Sequence, residues 1–449
     1  MKTIPKQSFG KKTKMKTTKS FKYWQWRVII CSMTGYAMFY FVRKNFSFAM
    51  PLLQNEYGIT NASFGAILSI GGIIYGVSKF INGILADRTN ARWHIVTGLS
   101  VCVLLNFLFG WSADLSALMT GSGEGPDFVG GIVLIMGILY ILNQIFQGCG
   151  FAPCNHLMVS WVPPHELATK MSIWNTSHSI GAFIAAIICG YITSWRLCFW
   201  IPACIGLFGV FFVIATLRDT PSSVGLPELP DTKTELDDKE DDPKAFRAFL
   251  MKMVFRNPVI WLLALTDLFV YIVRFAVLDW GPTFLQKMGL SSAISGWTVA
   301  IFEIAGCAGM MCAGWISDHL FHSRSQRVCA VEMFLVALCL VALHYLQDSS
   351  NAVLFLVVLA LAGFLLYGPQ ALLGVIASNQ ATKKAASSAV GLIGLMSYVS
   401  TIFTGWGIGL ISDRFGWHPL FAIMAGMAVI GGVLVALLWN LRGDGYIHE

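Results

Sequence analysis

Apolar and polar positions alternate along this chain in long blocks. Apolar segments fall near 24–51, 62–86, 93–113, 129–158, 168–193, 196–217, 258–285, 293–316, 326–347, 351–378, 385–412 and 417–441. Each is about 20 residues or longer, enough for a helix to cross the hydrocarbon core of a bilayer at 1.5 Å per residue. The period-two alternation of a membrane β-barrel is absent. The pattern predicts an all-α polytopic membrane protein with twelve transmembrane helices. One long polar stretch, Arg218 to Asn257, interrupts the series at its midpoint. It contains DTKTELDDKEDDP at 231–243, too charged to pack, and reads as a flexible linker. The expected organisation is a basic tail (1–22), a six-helix bundle (23–217), a linker (218–257), a second six-helix bundle (258–441) and a short tail (442–449).

Composition narrows the class further. Hydrophobic residues make up 56% of the 449 residues and charged residues 12%, against about a quarter charged in soluble domains. The eleven cysteines are scattered through the apolar segments without a C-x-x-C pair, as small buried hydrophobes are. His319 and His322 lie three apart in a short polar loop with no cysteine partner and read as solvated. No phosphate-binding G-x-x-x-x-G-K motif and no G-x-S-x-G elbow is present, so neither an ATPase nor a hydrolase has residues to stand on. No enzyme activity and no cofactor is expected.

Charge placement gives the topology. Residues 1–22 hold eight lysines and no acid, a tail suited to anionic headgroups rather than to nucleic acid. With the N-terminus, the even-to-odd loops and the C-terminus on one face, that face holds 24 Lys and Arg. The opposite loops hold three: Arg196, Lys287 and Arg414. Both termini are therefore expected in the cytoplasm. The remaining four cations, Arg43, Lys44, Lys79 and Arg274, sit inside spans. The halves also repeat: at an offset of 231, Tyr40, Arg43, Pro51 and Asp87 match Tyr271, Arg274, Pro282 and Asp318. Internal repeats with substrate groups near the midplane are a transporter pattern.

A cation at the centre of a membrane helix costs about 2.5–3.5 kcal/mol on insertion scales. Four cost on the order of 10 kcal/mol, comparable with the stability of a whole domain. Acids that could offset them are Asp267 and Asp279, which flank Arg274, and Glu303 in the eighth span. Arg43 and Lys44 have no acid within two turns of their own helix; the nearest in that segment is Glu56, beyond Pro51. An anionic ligand is the partner such cations call for. Tyr36, Tyr40, Arg43 and Ser47 form one stripe of the first helix; Asp267, Tyr271, Arg274 and Leu278 form the corresponding stripe of the seventh. Arginine's planar fork fits two phosphate oxygens at once, so one arginine from each half can clamp a phosphate. Lys44 points about 100° away from Arg43, toward the ligand or toward a neighbouring helix; the sequence leaves both open. His178 shares a face with Asn175 and is open to a ligand role or a packing role. Lys79 lies two turns before Asp87, placed to draw an anion inward or to snorkel.

The motifs GYAMFYFVRKNFSFAMP, YGVSKFINGILADRTNARW, FQGCGFAPC, IWNTSHSIG, RDTPSSVGLP, VYIVRFAVLDWGP, YGPQALLG and KKAASSAVGLIG resemble those of the organophosphate:phosphate antiporters of the major facilitator superfamily. The likeness runs over about residues 24–440, strongest to the hexose-phosphate (glucose-6-phosphate) transporter and sensor branch, where YGPQALLG with Gln370 fits. It implies phosphate binding by Arg43 and Arg274, helped by Lys44, Lys79 and His178. It implies a pocket lined by Tyr36, Tyr40, Tyr75, Tyr271, Tyr367, Gln370 and Tyr398. It implies gating by Asp87, Arg88 and Asp318 in the loop motif that latches the helices. One departure stands out: where an enteric hexose-phosphate permease carries an Asp and a Lys in its eleventh helix, this chain has Val390 and Ile393.

The expected function is sugar-phosphate (glucose 6-phosphate):inorganic phosphate antiport by alternating access, with the two bundles rocking about a two-arginine clamp. The expected setting is a bacterial inner membrane, with a monomer as the working unit and no metal. Two alternatives share the fold: a sugar-phosphate sensor that signals to a kinase partner, and a glycerol 3-phosphate exchanger.

Overall fold

The computed structural model describes residues 19–86, 89–227, 248–347 and 351–441. Asp87 and Arg88, expected to act in gating, lie outside these residues, as do 228–247 of the expected linker. The described residues form helices and no strands. In the first half these are α1 (Lys19–Tyr57), α2 (Asn61–Ala86), α3 (Ala91–Gly110), α4 (Ser112–Thr120), α5 (Pro126–Gln147), α6 (Phe151–Trp161), α7 (Pro164–Gly190) and α8 (Leu197–Thr216). In the second they are α9 (Pro258–Lys287), α10 (Ser292–His319), α11 (Ser325–Leu346), α12 (Ala352–Gln380), α13 (Thr382–Val399), α14 (Ile408–Phe415) and α15 (His418–Ala436). Eleven helical segments are long and apolar enough to cross a membrane. Helix α1, 39 residues long with Arg43 and Lys44 near its middle, makes the twelfth.

Local chemistry sets several helix starts. Asn90, Asn257, Ser291 and Asn351 each accept a hydrogen bond from a backbone N–H of the turn they open. The fourth expected span is two helices, α5 and α6, separated by a turn at Gly148–Gly150. Gly148 is needed there: a Cβ would lie 2.9 Å from the Ser78 carbonyl carbon and 3.0 Å from the Asn82 amide. The eleventh is α13 and α14 joined by a π turn over Ile402–Gly407. The described ends of the expected linker are held against the bundles. Asp219 Oδ1 accepts the Ala91 N–H at 2.7 Å and so caps α3, while Val254, in the turn Met251–Phe255, is fully buried.

The two halves meet tightly at one end. Asp413, at the end of α14, takes the first N–H groups of α2 on its two carboxylate oxygens, Asn61 at 3.1 Å and Ala62 at 2.7 Å. Ser69 donates to the Thr401 carbonyl at 2.7 Å and accepts the Trp406 N–H at 2.8 Å. Gly190 of α7 and Gly296 of α10 touch backbone to backbone. Tyr191 and Trp297 close the same level at 3.1 Å. Hydrogen bonds among the described residues join the halves from Lys44–Asp279 up to Asp413–Asn61, on the side away from Lys19 and Leu441. The described residues thus form a seal on the side opposite Lys19 and Leu441, with Arg43 and Arg274 beneath it.

Candidate functional site

Helix α1 is not regular where the site forms. Val42 leaves the helical region (φ −90°, ψ 15°), one residue before Arg43. A break frees backbone carbonyls, and a bilayer interior has no water to satisfy them. Side-chain amides do so here. Asn106 and Asn143 both donate to the Val42 carbonyl, at 2.9 and 3.0 Å. Gln147 donates to the Phe39 carbonyl at 3.0 Å. Asn45 fixes Asn106 in turn at 2.8 Å and donates to the Cys198 carbonyl at 3.0 Å. All four amides are at most 3% exposed. They hold the break, and the break aims Arg43.

The Arg43 guanidinium lies over the Tyr75 ring, 3.9 Å from its centroid. Tyr75 packs edge-on against Tyr398 of the second half, with ring centroids 5.0 Å apart. Lys79 stands over Phe151 at 4.4 Å and near Tyr398 at 5.9 Å. Among the described residues Arg43 has no ion-pair partner.

Arg274 is seated differently. It donates to the Tyr367 hydroxyl at 3.2 Å and lies over the rings of Tyr367 and Tyr271. Of the three candidate acids, Glu303 is the one beside it, at a long 3.8 Å. Arg274 Nε and Glu303 Oε2 both lack hydrogen-bond partners although buried, so this pair is poorly matched. Asp267 accepts a hydrogen bond from Ser397 instead. Asp279 reaches across the halves to Lys44 at 2.7 Å. Tyr40 lies within electrostatic range of both Arg43 and Arg274.

The remaining residues fall around this centre. The His178 ring is 5.9 Å from that of Tyr40. Its Nδ1–H donates to the Asn175 carbonyl of its own helix, which leaves Nε2 as the acceptor, 3.5 Å from Ser179 Oγ. Tyr36 sits behind Tyr40, stacked on Trp174 at 5.0 Å. Gln370 is one turn beyond Tyr367, within reach of the Tyr271 hydroxyl, and its Oε1 is buried without a partner. Asp318 is far from the centre, at the end of α10, where Ser323 donates to it at 3.2 Å. Sequence reasoning missed the amide cluster that holds Val42 and missed Trp174; the mid-span amides Asn45, Asn106, Asn143 and Gln147 were the signal that could have found the cluster.

The Lys44–Asp279 pair carries a testable consequence. Both side chains are less than a fifth exposed. Removing one partner of such a pair strands the other charge, at a cost of about 3–5 kcal/mol, whereas replacing both with apolar residues is often neutral. Lys44→Met alone is expected to lower the melting temperature of the purified protein markedly, and the double change Lys44→Met with Asp279→Leu to restore most of it. Additive losses in the melting curves would show that the pair is not an energetic unit.

Three kinds of similarity bear on this site. The family model described as Major Facilitator Superfamily matches residues 32–405. The chain is 35% identical over 425 residues to the glycerol-3-phosphate transporter of Bacillus subtilis (strain 168), covering 92% of each chain. It is 33% identical over 444 residues to a probable hexose phosphate transport protein of Chlamydia muridarum, covering 94% of this chain and 92% of that one. It is 30% identical over 438 residues to the membrane sensor protein UhpC of Salmonella typhimurium, covering 96% and 95%. Among solved structures, a D-xylose-proton symporter superposes with a TM-score of 0.69 at 14% identity, covering 94% of this chain and 98% of that one; that likeness bears on the fold alone.

Proposed function

Since the chain belongs to the major facilitator superfamily, and within it to the organophosphate transporters, we propose that it exchanges a sugar phosphate, glucose 6-phosphate, for inorganic phosphate. The observation that carries this reading is the pair Arg43 and Arg274. They come from opposite halves, at repeat-related positions, within range of the shared Tyr40. Neither is neutralised by a close carboxylate: Arg43 has none among the described residues, and Arg274 has Glu303 only at 3.8 Å. A phosphate between them supplies the missing negative charge and accepts from both forks. Lys79 and the Nε2 of His178 border the same space. The unpartnered Gln370 Oε1 offers an acceptor for a sugar hydroxyl, which favours a hexose phosphate over a shorter ligand.

The same charges account for exchange. Two guanidinium groups without an anion repel each other and resist desolvation, so an empty carrier is slow to pass through an occluded state. A bound phosphate cancels that cost, and either anion can serve. Both termini face the cytoplasm of a bacterial inner membrane in this reading, the sealed end faces outward, and one chain holds the complete pathway.

Liposomes containing the purified protein test the proposal. Labelled glucose 6-phosphate should enter vesicles preloaded with phosphate and fail to enter vesicles without it. Equal uptake in both sets would contradict the charge argument. A second reading, a sugar-phosphate sensor acting through a kinase, is favoured by the similarity to the membrane sensor protein and by the apolar Val390 and Ile393. Binding of glucose 6-phosphate without uptake in either set of vesicles would support that reading.

A further inference from the structure

We infer that Asp267 is a specificity-determining residue, which accepts hydrogen bonds from the hydroxyl groups of the ligand's uncharged tail and repels ligands whose tail carries a second anion. The inference rests on the phosphate clamp proposed above and extends it to the other end of the ligand.

Asp267, Tyr271 and Arg274 follow one another at i, i+4 and i+7 on α9, so they share a face of the helix. Asp267 lies seven residues from Arg274, about 10 Å along the axis, on the side away from the seal. A phosphate gripped at Arg274 cannot extend its tail through the closed end. The tail has to run along the lower part of the site, where Tyr271 and Asp267 follow.

The surroundings of Asp267 are those of an unneutralised acceptor. It is 2% exposed and has no ion pair among the described residues. No described cation forms an ion pair with it: Arg274 donates to the Tyr367 hydroxyl, and Lys44 pairs with Asp279. A single neutral donor, the Ser397 hydroxyl of α13, holds one oxygen, Oδ2. Ser397 is itself 3% exposed, so the carboxylate is pinned in place. Tyr271 connects it to Gln370, which lies within reach of the Tyr271 hydroxyl and has a free Oε1 of its own. Asp267 and Gln370 thus present acceptors, and a ligand tail rich in hydroxyl donors matches them. A tail ending in a carboxylate or a second phosphate brings charge of the same sign against these acceptors. Specificity of this kind comes from a repulsive element as much as from an attractive one.

The test uses the full chain in lipid nanodiscs and three ligands: inorganic phosphate, glucose 6-phosphate and 3-phosphoglycerate. Affinities are read by calorimetry for the unmodified protein and for Asp267→Asn, which keeps the shape and the bond from Ser397. The expected result is movement in opposite directions. Glucose 6-phosphate weakens about tenfold, as for a lost hydrogen bond to a charged group. 3-Phosphoglycerate strengthens about tenfold or more as the like charge is removed. Inorganic phosphate, which has no tail, strengthens by a smaller factor. A common gain for all three ligands would mean that Asp267 acts only through its general field, and would overturn the inference. A common loss would report a damaged clamp, and Ser397→Ala then decides. That variant keeps the charge but frees the carboxylate, so glucose 6-phosphate weakens while 3-phosphoglycerate stays excluded; unchanged affinities for both overturn the inference. Failure of the unmodified chain to bind inorganic phosphate would remove the clamp itself, and the tail inference with it.

Discussion

Arg43→Lys and Arg274→Lys are each expected to cut phosphate-driven glucose 6-phosphate uptake about 100-fold while leaving the protein folded. Lysine keeps the charge, so the result turns on geometry. A guanidinium can give two parallel N–H bonds to one phosphate while its flat face rests on a ring. Arg43 has that seat on Tyr75 at 3.9 Å, and Arg274 on Tyr367 at 4.8 Å. An ammonium offers a point charge that the same rings hold without orienting. Loss of one charge-assisted hydrogen bond is worth about 1.5–3 kcal/mol, and 1.4 kcal/mol is tenfold, which places the loss between one and two orders of magnitude. Poorer alignment in the occluded state brings it to the upper end. Initial uptake rates in phosphate-loaded vesicles check this, with melting curves as the control for folding. Rates within a few-fold of the unmodified protein would refute the two-arginine clamp.

The residues that suggested the proposed clamp were the ones a bilayer makes expensive. Arg43 and Arg274 stood out because a cation in a greasy helix needs a reason, and their shared offset of 231 with Tyr40 and Tyr271 supplied the symmetry. The twelve crossings were readable for the related reason that a spanning helix needs an unbroken apolar length. What the sequence left open depended on contacts between helices distant along the chain. Asp279 is five residues after Arg274 yet pairs with Lys44, 235 residues away. Glu303 was one candidate acid among three, and only the packing of α10 on α9 brings it to Arg274. The break at Val42 carries no proline or glycine at that position to announce it. It exists because Asn106, Asn143 and Gln147 from two other helices accommodate it. The turn between α5 and α6 was missed because its glycines sit inside an apolar run, where Gly148 reads as a tolerated small residue rather than as a point of contact with α2.

The sealed end leads to the second large effect. Gly65→Leu is expected to lower exchange at least tenfold while glucose 6-phosphate still binds. A Cβ at position 65 would lie 2.4 Å from the Gly405 carbonyl oxygen, 2.8 Å from its carbon and 3.1 Å from Trp406 Cα. These are backbone atoms of the π turn in the opposite half, so no side chain can swing aside. The halves must separate at that level, and overpacking of this kind costs about 1–3 kcal/mol. The cost falls on the sealed state alone, because opening the sealed end parts α2 from the turn. A bias of 3 kcal/mol shifts the balance of the two states by more than 100-fold, so a carrier that must visit both is slowed, while the Arg43 and Arg274 site is left intact. Gly426→Leu provides the comparison, since nothing lies within 4 Å of a Cβ there, and exchange should be little changed. Asp413→Asn weakens the same seal by taking the charge from the α2 cap. If both act on one opening step, the double variant should lose less than the sum of the two single losses. Exchange at the unmodified rate in Gly65→Leu would mean that the contact between Gly65 and Gly405 persists through the whole cycle, and that the halves part elsewhere.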